Sequence, residues 1–106
     1  MNVKFKDSAL ADLFAFSKTK DRRYKYLCKD KLLLNGYLRV VNTMKQTGTT
    51  EELRQYSFLH YEKLKHDPRS SVRIVNGKIE RLLFTESDGG IEVELIEIDR
   101  THYGNK

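Results

Sequence analysis

Several residues in the second half of the sequence have the chemistry to handle a phosphodiester. Glu62 lies within His60-Tyr61-Glu62-Lys63-Leu64-Lys65-His66, a carboxylate set among cations. Such a carboxylate can accept a proton while neighbouring lysines hold phosphate oxygens. Arg73 and Arg81 stand on either side of an Asn76-Gly77 turn signal. Adjacent antiparallel strands run about 4.8 Å apart, so two arginines flanking a hairpin can bracket one phosphate. Their planar guanidinium groups suit its oxygens. Near the C-terminus, Arg100-Thr101-His102-Tyr103 adds an imidazole and a phenol ring. A histidine can deliver a proton near neutral pH, and a tyrosine face can stack on a base.

Each group also has a plainer reading. Arg73 and Arg81 can pair with Glu92 or Glu94 on the next strand, as exposed sheet residues do. The segment around Glu62 can be an amphipathic connector with Tyr61 and Leu64 docked on the core. His102 and Tyr103 can be terminal surface. His60 and His66 have no partners at metal-ligand spacing, so no metal is assigned.

Net charge alone fits an ordinary solvated basic surface, but its distribution suggests a directional one. The chain has 106 residues with a formal net charge of +5, and 33% of it is charged. Between Lys18 and Lys31 stand Lys18, Lys20, Arg22, Arg23, Lys25, Lys29 and Lys31, against Asp21 and Asp30 alone. Lys63, Lys65, Arg69, Arg73, Lys78 and Arg81 form a second basic stretch, whereas the sequence from Phe84 onward is acidic. A polarised basic surface of this kind fits nucleic acid, a membrane surface or an acidic protein. Cys28 is the single cysteine, which rules out an internal disulfide and a cysteine-based zinc site. No stretch reads as a signal peptide or a membrane span, so a cytoplasmic location is expected.

These groups must be held by one small domain, since the length allows little more. Apolar residues make up 39% of the chain and fall in periodic blocks, enough for one core. Val3 and Phe5 alternate with Lys4 and Lys6, predicting a first strand. Asp7 or Ser8 can cap a helix carrying Leu10, Leu13 and Phe14 on one stripe. The stretch 18–23 turns the chain. A second helix is predicted from about Lys29 to Lys45, with Leu33, Leu34, Tyr37, Leu38, Val40, Val41 and Met44 at helical spacing. Gly36 inside it costs about 1 kcal/mol relative to Ala, so packing must hold that helix. Thr49 and Glu52 have capping-box spacing and predict one further helical turn.

The remainder reads as strand. Ser71 to Val75 is followed by an Asn76-Gly77 hairpin turn, then Ile79 to Thr85, an Asp88-Gly89-Gly90 turn, and Ile91 to Asp99. Alternation slips at Leu95-Ile96, which predicts a bulge. The expected fold is α+β, ordered β-α-α-β-β-β, with two N-terminal helices on one face of a largely antiparallel sheet. Val72, Ile74, Leu82 and Phe84 would face the helices, leaving Arg73 and Arg81 on the open face.

In order and spacing these elements resemble the RelE/ParE toxin superfamily, most closely its HigB- and YoeB-like messenger-RNA interferases. The carriers are Val3-Lys4-Phe5 with its following helix, Tyr61-Glu62-Lys63-Leu64-Lys65, Ser71-Val72-Arg73-Ile74, Glu80-Arg81-Leu82-Leu83-Phe84 and Thr101-His102-Tyr103. The resemblance spans nearly the whole chain and implies a RelE-like microbial ribonuclease fold. It implies the toxin of a type II toxin-antitoxin system, an endoribonuclease that enters the ribosomal A site and cuts translated mRNA. The RNA 2′-hydroxyl would attack the adjacent phosphate without a metal or other cofactor. By position, Glu62 matches the general base, Lys65 and Lys63 contact phosphate, and Arg73 and Arg81 are transition-state cations. His102 would be the general acid or orient the scissile phosphate, with Tyr103 stacking on a base or assisting. Lys18, Lys20, Arg22, Arg23, Lys25 and Arg69 would contact RNA, and a cognate antitoxin would cover the basic face. The C-terminal helix that carries a catalytic tyrosine in RelE itself has no counterpart, and the segment from Lys65 to Arg73 is shorter than in the YoeB pattern. The same superfamily also leaves open a ParE-like inhibitor of gyrase, or a basic binding module without activity.

Overall fold

The computed structural model describes residues 1–100. It is an α+β fold in which helices pack against an open sheet of five strands, mostly antiparallel. Strand β1 (Asn2–Phe5) leads into helix α1 (Ser8–Phe16), whose N-cap is Asp7. The Asp7 carboxylate accepts from the Ala9 N–H at 2.9 Å, satisfying one of the free donors of the first turn. At the other end Ser17 adopts the left-handed conformation, φ 58°, which ends the helix.

The helix predicted from about Lys29 to Lys45 is present, and an unpredicted short helix precedes it. A short helix α2 (Lys25–Lys29) breaks at Asp30, and α3 runs Lys31–Gln46. Asp30 is extended and its carboxylate accepts from the Leu33 N–H at 3.1 Å, so it caps α3 rather than continuing α2. The helical layer therefore has three members, not two. Helix α3 buries Leu33, Gly36, Tyr37, Val40, Val41 and Met44. Gly36 is there because of close approach: a Cβ would sit 2.6 Å from Val75 Cγ2 and 2.7 Å from the Ile74 carbonyl. Tyr37, fully buried, donates its hydroxyl to the Leu10 carbonyl at 2.7 Å, tying α3 to α1. A 3-10 turn follows at Thr50–Gln55, where Thr49 bonds the Glu52 carboxylate instead of a backbone N–H.

The expected three-strand meander has four members. Glu62–Lys63 forms a short edge strand, β2, ahead of β3 (Arg69–Arg73), β4 (Arg81–Ser87) and β5 (Glu92–Asp99). The order across the sheet is β1-β5-β4-β3-β2, with β1 parallel to β5 and every other pairing antiparallel. Asn76-Gly77 does form a turn, with Gly77 at φ 88°, but not a two-residue hairpin. The ladder stops at Arg73 and Arg81, and residues 74–80 loop out beyond it.

The slip in alternation at Leu95-Ile96 is a bulge. Leu95 pairs with Phe84 and Glu97 with Leu83, so Ile96 has no partner on β4. The extra residue switches parity along β5. Val93, Leu95 and Ile98 all enter the core, while Glu97 and Asp99 turn to the other face. Val72, Ile74, Leu82 and Phe84 join them beneath the helices, as the alternation predicted.

Candidate functional site

The open face carries a polar row built by register. Glu62 on β2 pairs with Ser71 on β3, Ser71 with Leu83, and Arg73 with Arg81, whose partner on β5 is Asp99. Side chains two apart on a strand share a face, so Glu62, Ser71, Arg73, Arg81 and Asp99 lie together. Helix-side packing fixes this arrangement on β3, β4 and β5, where Val72, Leu82 and Ile98 are core.

Arg81 is the centre of the row. It is only 7% exposed, which departs from the exposed sheet arginine that alternation alone suggested. Its Nε donates to Ser71 Oγ at 2.9 Å and its Nη2 donates to the His60 carbonyl at 2.6 Å. The same Nη2 lies 3.5 Å from Glu62 Oε1. Burial pushes the guanidinium pKa down, Glu62 pulls it back up, and the nearby Arg73 charge lowers it again. The partners Glu92 and Glu94 are not used. Glu92 instead takes Lys4 at 3.3 Å and Asn2 at 3.2 Å at the β1 edge of the sheet.

Arg73 is half-buried, and its Nε is buried without a hydrogen-bond partner among the described residues. Two guanidinium groups thus oppose each other across the ladder while one of them has a donor to spare. A buried unpaired donor is costly, and two adjacent cations repel. An anion seated between them would relieve both.

Lys65 occupies an exposed turn after β2, beside His66 at φ 58°. Lys63 is exposed too, but β2 alternation sends it to the face opposite Glu62, where its charge acts on Glu86. Arg69 is held by Asp67 at 2.8 Å and Glu97 at 3.5 Å. Arg23 is held by Asp21 at 2.7 Å and Asp7 at 2.6 Å. Hydrogen bonds from Arg23 take the Asp21 carboxyl down to about 2. Lys18, Lys20 and Lys25 are exposed, and together with Lys29 they line a groove of about 580 Å³ that also contains Phe16 and Cys28. Phe16 is 70% exposed there. Arg22 is exposed nearby. His102 and Tyr103 lie outside the described residues.

Three contributors to the row are not evident from residue type. Ser71 shares the parity of Arg73 and was legible from alternation. The His60 carbonyl was not, because backbone acceptors leave no mark in a sequence. Asp99 reaches this face only through the bulge at Ile96.

No family model and no curated protein matches this sequence. The functional reading therefore stands on the geometry of the row and on the residue pattern.

Proposed function

We propose that this chain is the toxin of a type II toxin-antitoxin system, a ribosome-dependent endoribonuclease of the RelE-like kind acting on translated mRNA in the cytoplasm. The observation that carries the reading is the direct opposition of Arg73 and Arg81 with Glu62 at the latter's guanidinium. One carboxylate and two cations on a shared face are what a metal-free transesterification requires. Glu62, whose side chain is 54% exposed, takes the proton of the RNA 2′-hydroxyl as its oxygen attacks the adjacent phosphorus. Arg73 and Arg81 bind the phosphoryl oxygens as negative charge builds on them, and their fixed positions spare reorganisation during the step. Lys65 neutralises a flanking phosphate. His102 supplies the proton that the departing 5′-oxygen needs, leaving a 2′,3′-cyclic phosphate, and Tyr103 stacks on a base. In sequence these two follow Asp99, the register partner of Arg81.

The lysines around the Phe16 groove contact ribosomal RNA, adding binding that depends on salt rather than on sequence. A cognate antitoxin with an acidic or amphipathic segment neutralises the basic surface until it is removed.

Primer extension on cellular mRNA after induced expression tests the reading. Discrete cuts within translated codons are expected from the wild type and should vanish with Arg81→Ala or Glu62→Gln. If folded Arg73→Ala, Arg81→Ala and His102→Ala proteins all kept full toxicity, the assignment of this site would be wrong. Inhibition of purified gyrase without any mRNA cleavage would replace it with the ParE-like reading.

A further inference from the structure

We propose that Glu86 is a positioning residue for the Glu62–Arg81 site, anchoring from the helix side of the sheet the two segments that grip Arg81. The inference rests on reading that cluster as the reactive centre.

Glu86 falls on β4 in the alternation of Leu82 and Phe84, where a further apolar residue would be the ordinary choice. Instead its carboxylate accepts three hydroxyl hydrogen bonds. Thr50 Oγ1 donates at 2.7 Å and Ser70 Oγ at 2.5 Å, and the Tyr61 hydroxyl completes the set. All three donors are buried, and they come from three separate pieces of chain. An apolar cluster replacing Glu86 together with its three hydroxyl partners would hold the fold comparably, because a satisfied polar network gains little net stability over a hydrophobic replacement. Fold stability alone gives no reason for the carboxylate.

Its position relative to Arg81 does. Tyr61 points to the helix side and stacks on Phe84, with ring centroids 6.2 Å apart. The residues on either side of it are His60, whose carbonyl takes Arg81 Nη2, and Glu62, which pairs with the same nitrogen. Ser70 likewise points to the helix side, and the next residue, Ser71, accepts from Arg81 Nε on the other. Every protein contact of Arg81 named above is thus one residue away from a hydroxyl that Glu86 holds.

Strand β2 needs such an anchor. It comprises two residues on the sheet edge, pairing Glu62 with Ser71 and Lys63 with Ser70, with one backbone bond beyond them from the Leu64 N–H to the Arg69 carbonyl at 3.1 Å. A pairing this short is weakly specified, and a slip of one residue would carry Glu62 to the opposite face. The Tyr61–Glu86–Ser70 bridge spans that same β2–β3 pair and opposes the slip.

Glu86→Gln and Tyr61→Phe, made in the full chain, test the proposal with two readouts. One is single-turnover cleavage of ribosome-bound mRNA. The other is solvent exchange of the Arg81 Nε–H, followed by NMR on protein labelled at the arginine side chains, which needs no ribonuclease activity. Glu92→Gln, removing a sheet carboxylate that pairs with Lys4 instead, serves as control. Both test variants should lower kcat by about tenfold to a hundredfold, the scale set by misplacement of reacting groups. KM should stay within about twofold, and Arg81 Nε–H exchange should quicken well below the melting temperature. The double variant should be no worse than either single one, while the control changes neither readout. Unchanged exchange and kcat in folded Glu86→Gln and Tyr61→Phe, with only a lower melting temperature, would reduce Glu86 to a structural residue. Should the wild type fail to cleave RNA at all, the exchange readout still decides the positioning relation, and the ribonuclease reading falls separately.

Discussion

Arg73 and Arg81 face each other across the β3–β4 ladder, yet their guanidinium groups are in opposite states. Arg81 is bound by Ser71, the His60 carbonyl and Glu62, whereas Arg73 keeps a buried Nε without a partner among the described residues. One arginine is anchored by the described residues, and the other is not. The two should therefore respond differently to truncation.

Arg81→Ala removes the donor from three acceptors at once and should cost about 1–3 kcal/mol of stability, the scale for leaving buried polar groups unsatisfied. Arg73→Ala should stay within about 0.5 kcal/mol of the wild type. Both should reduce single-turnover cleavage by about a hundredfold or more, as loss of a charge-stabilising donor does. Urea denaturation beside cleavage assays separates the two effects. Equal stability of the two variants would mean that the three partners of Arg81 add nothing to the fold.

Helix α3 lies against the 74–80 loop through Gly36, with no room for a methyl group. Gly36→Ala should destabilise by about 1–3 kcal/mol, the overpacking cost, despite the better helix propensity of alanine. A rise in the urea midpoint would show that Val75 and the Ile74 carbonyl give way easily.

Stability should fall in acid partly through Glu86. Burial raises its pKa, but the hydrogen bonds from Ser70, Tyr61 and Thr50, together with the Lys63 charge, outweigh burial and bring it below the ordinary 4.5. A depressed carboxylate binds fewer protons folded than unfolded, so its contribution is complete above pH 4.5 and is lost as pH drops through the folded value. Tyr61 remains a donor throughout, since burial and then the Glu86 hydrogen bond push its phenol up to about 12. Glu86→Gln should flatten the fall of melting temperature with decreasing pH below that point. An unchanged slope would mean that other carboxylates carry it.

Lys18, Lys20 and Lys25 should act through electrostatics alone. Replacing all three with alanine should weaken ribosome binding and reduce the slope of log affinity against log salt by about three, one per lost phosphate contact. Arg23→Ala, which removes a residue already committed to Asp21 and Asp7, should change that slope less and destabilise the α1 entry more. Filter binding across a salt series measures the first effect and thermal melting the second.

Much of the architecture was legible in the sequence because it rests on local patterns. Alternation in 71–75 and 79–85 assigned the core face, Asp7 or Ser8 marked the start of α1, and the broken alternation at Leu95-Ile96 announced the bulge. Helix α2 was not legible, because Lys25–Lys29 is too short to carry a helical period of its own and ends at the aspartate that caps α3. β2 is too short to carry any period of its own.

For the site, residue type and parity alone put Arg73 and Arg81 on one face and marked Glu62 as a carboxylate among cations. Only the tertiary structure decided which charges are spent on one another. Ion pairing depends on distances between strands, a backbone carbonyl has no sequence signature, and burial is a property of the packed sheet. Those same long-range contacts made Arg81 a buried keystone, left Arg73 with a donor to offer, and brought Glu86 beneath the segments that hold Arg81.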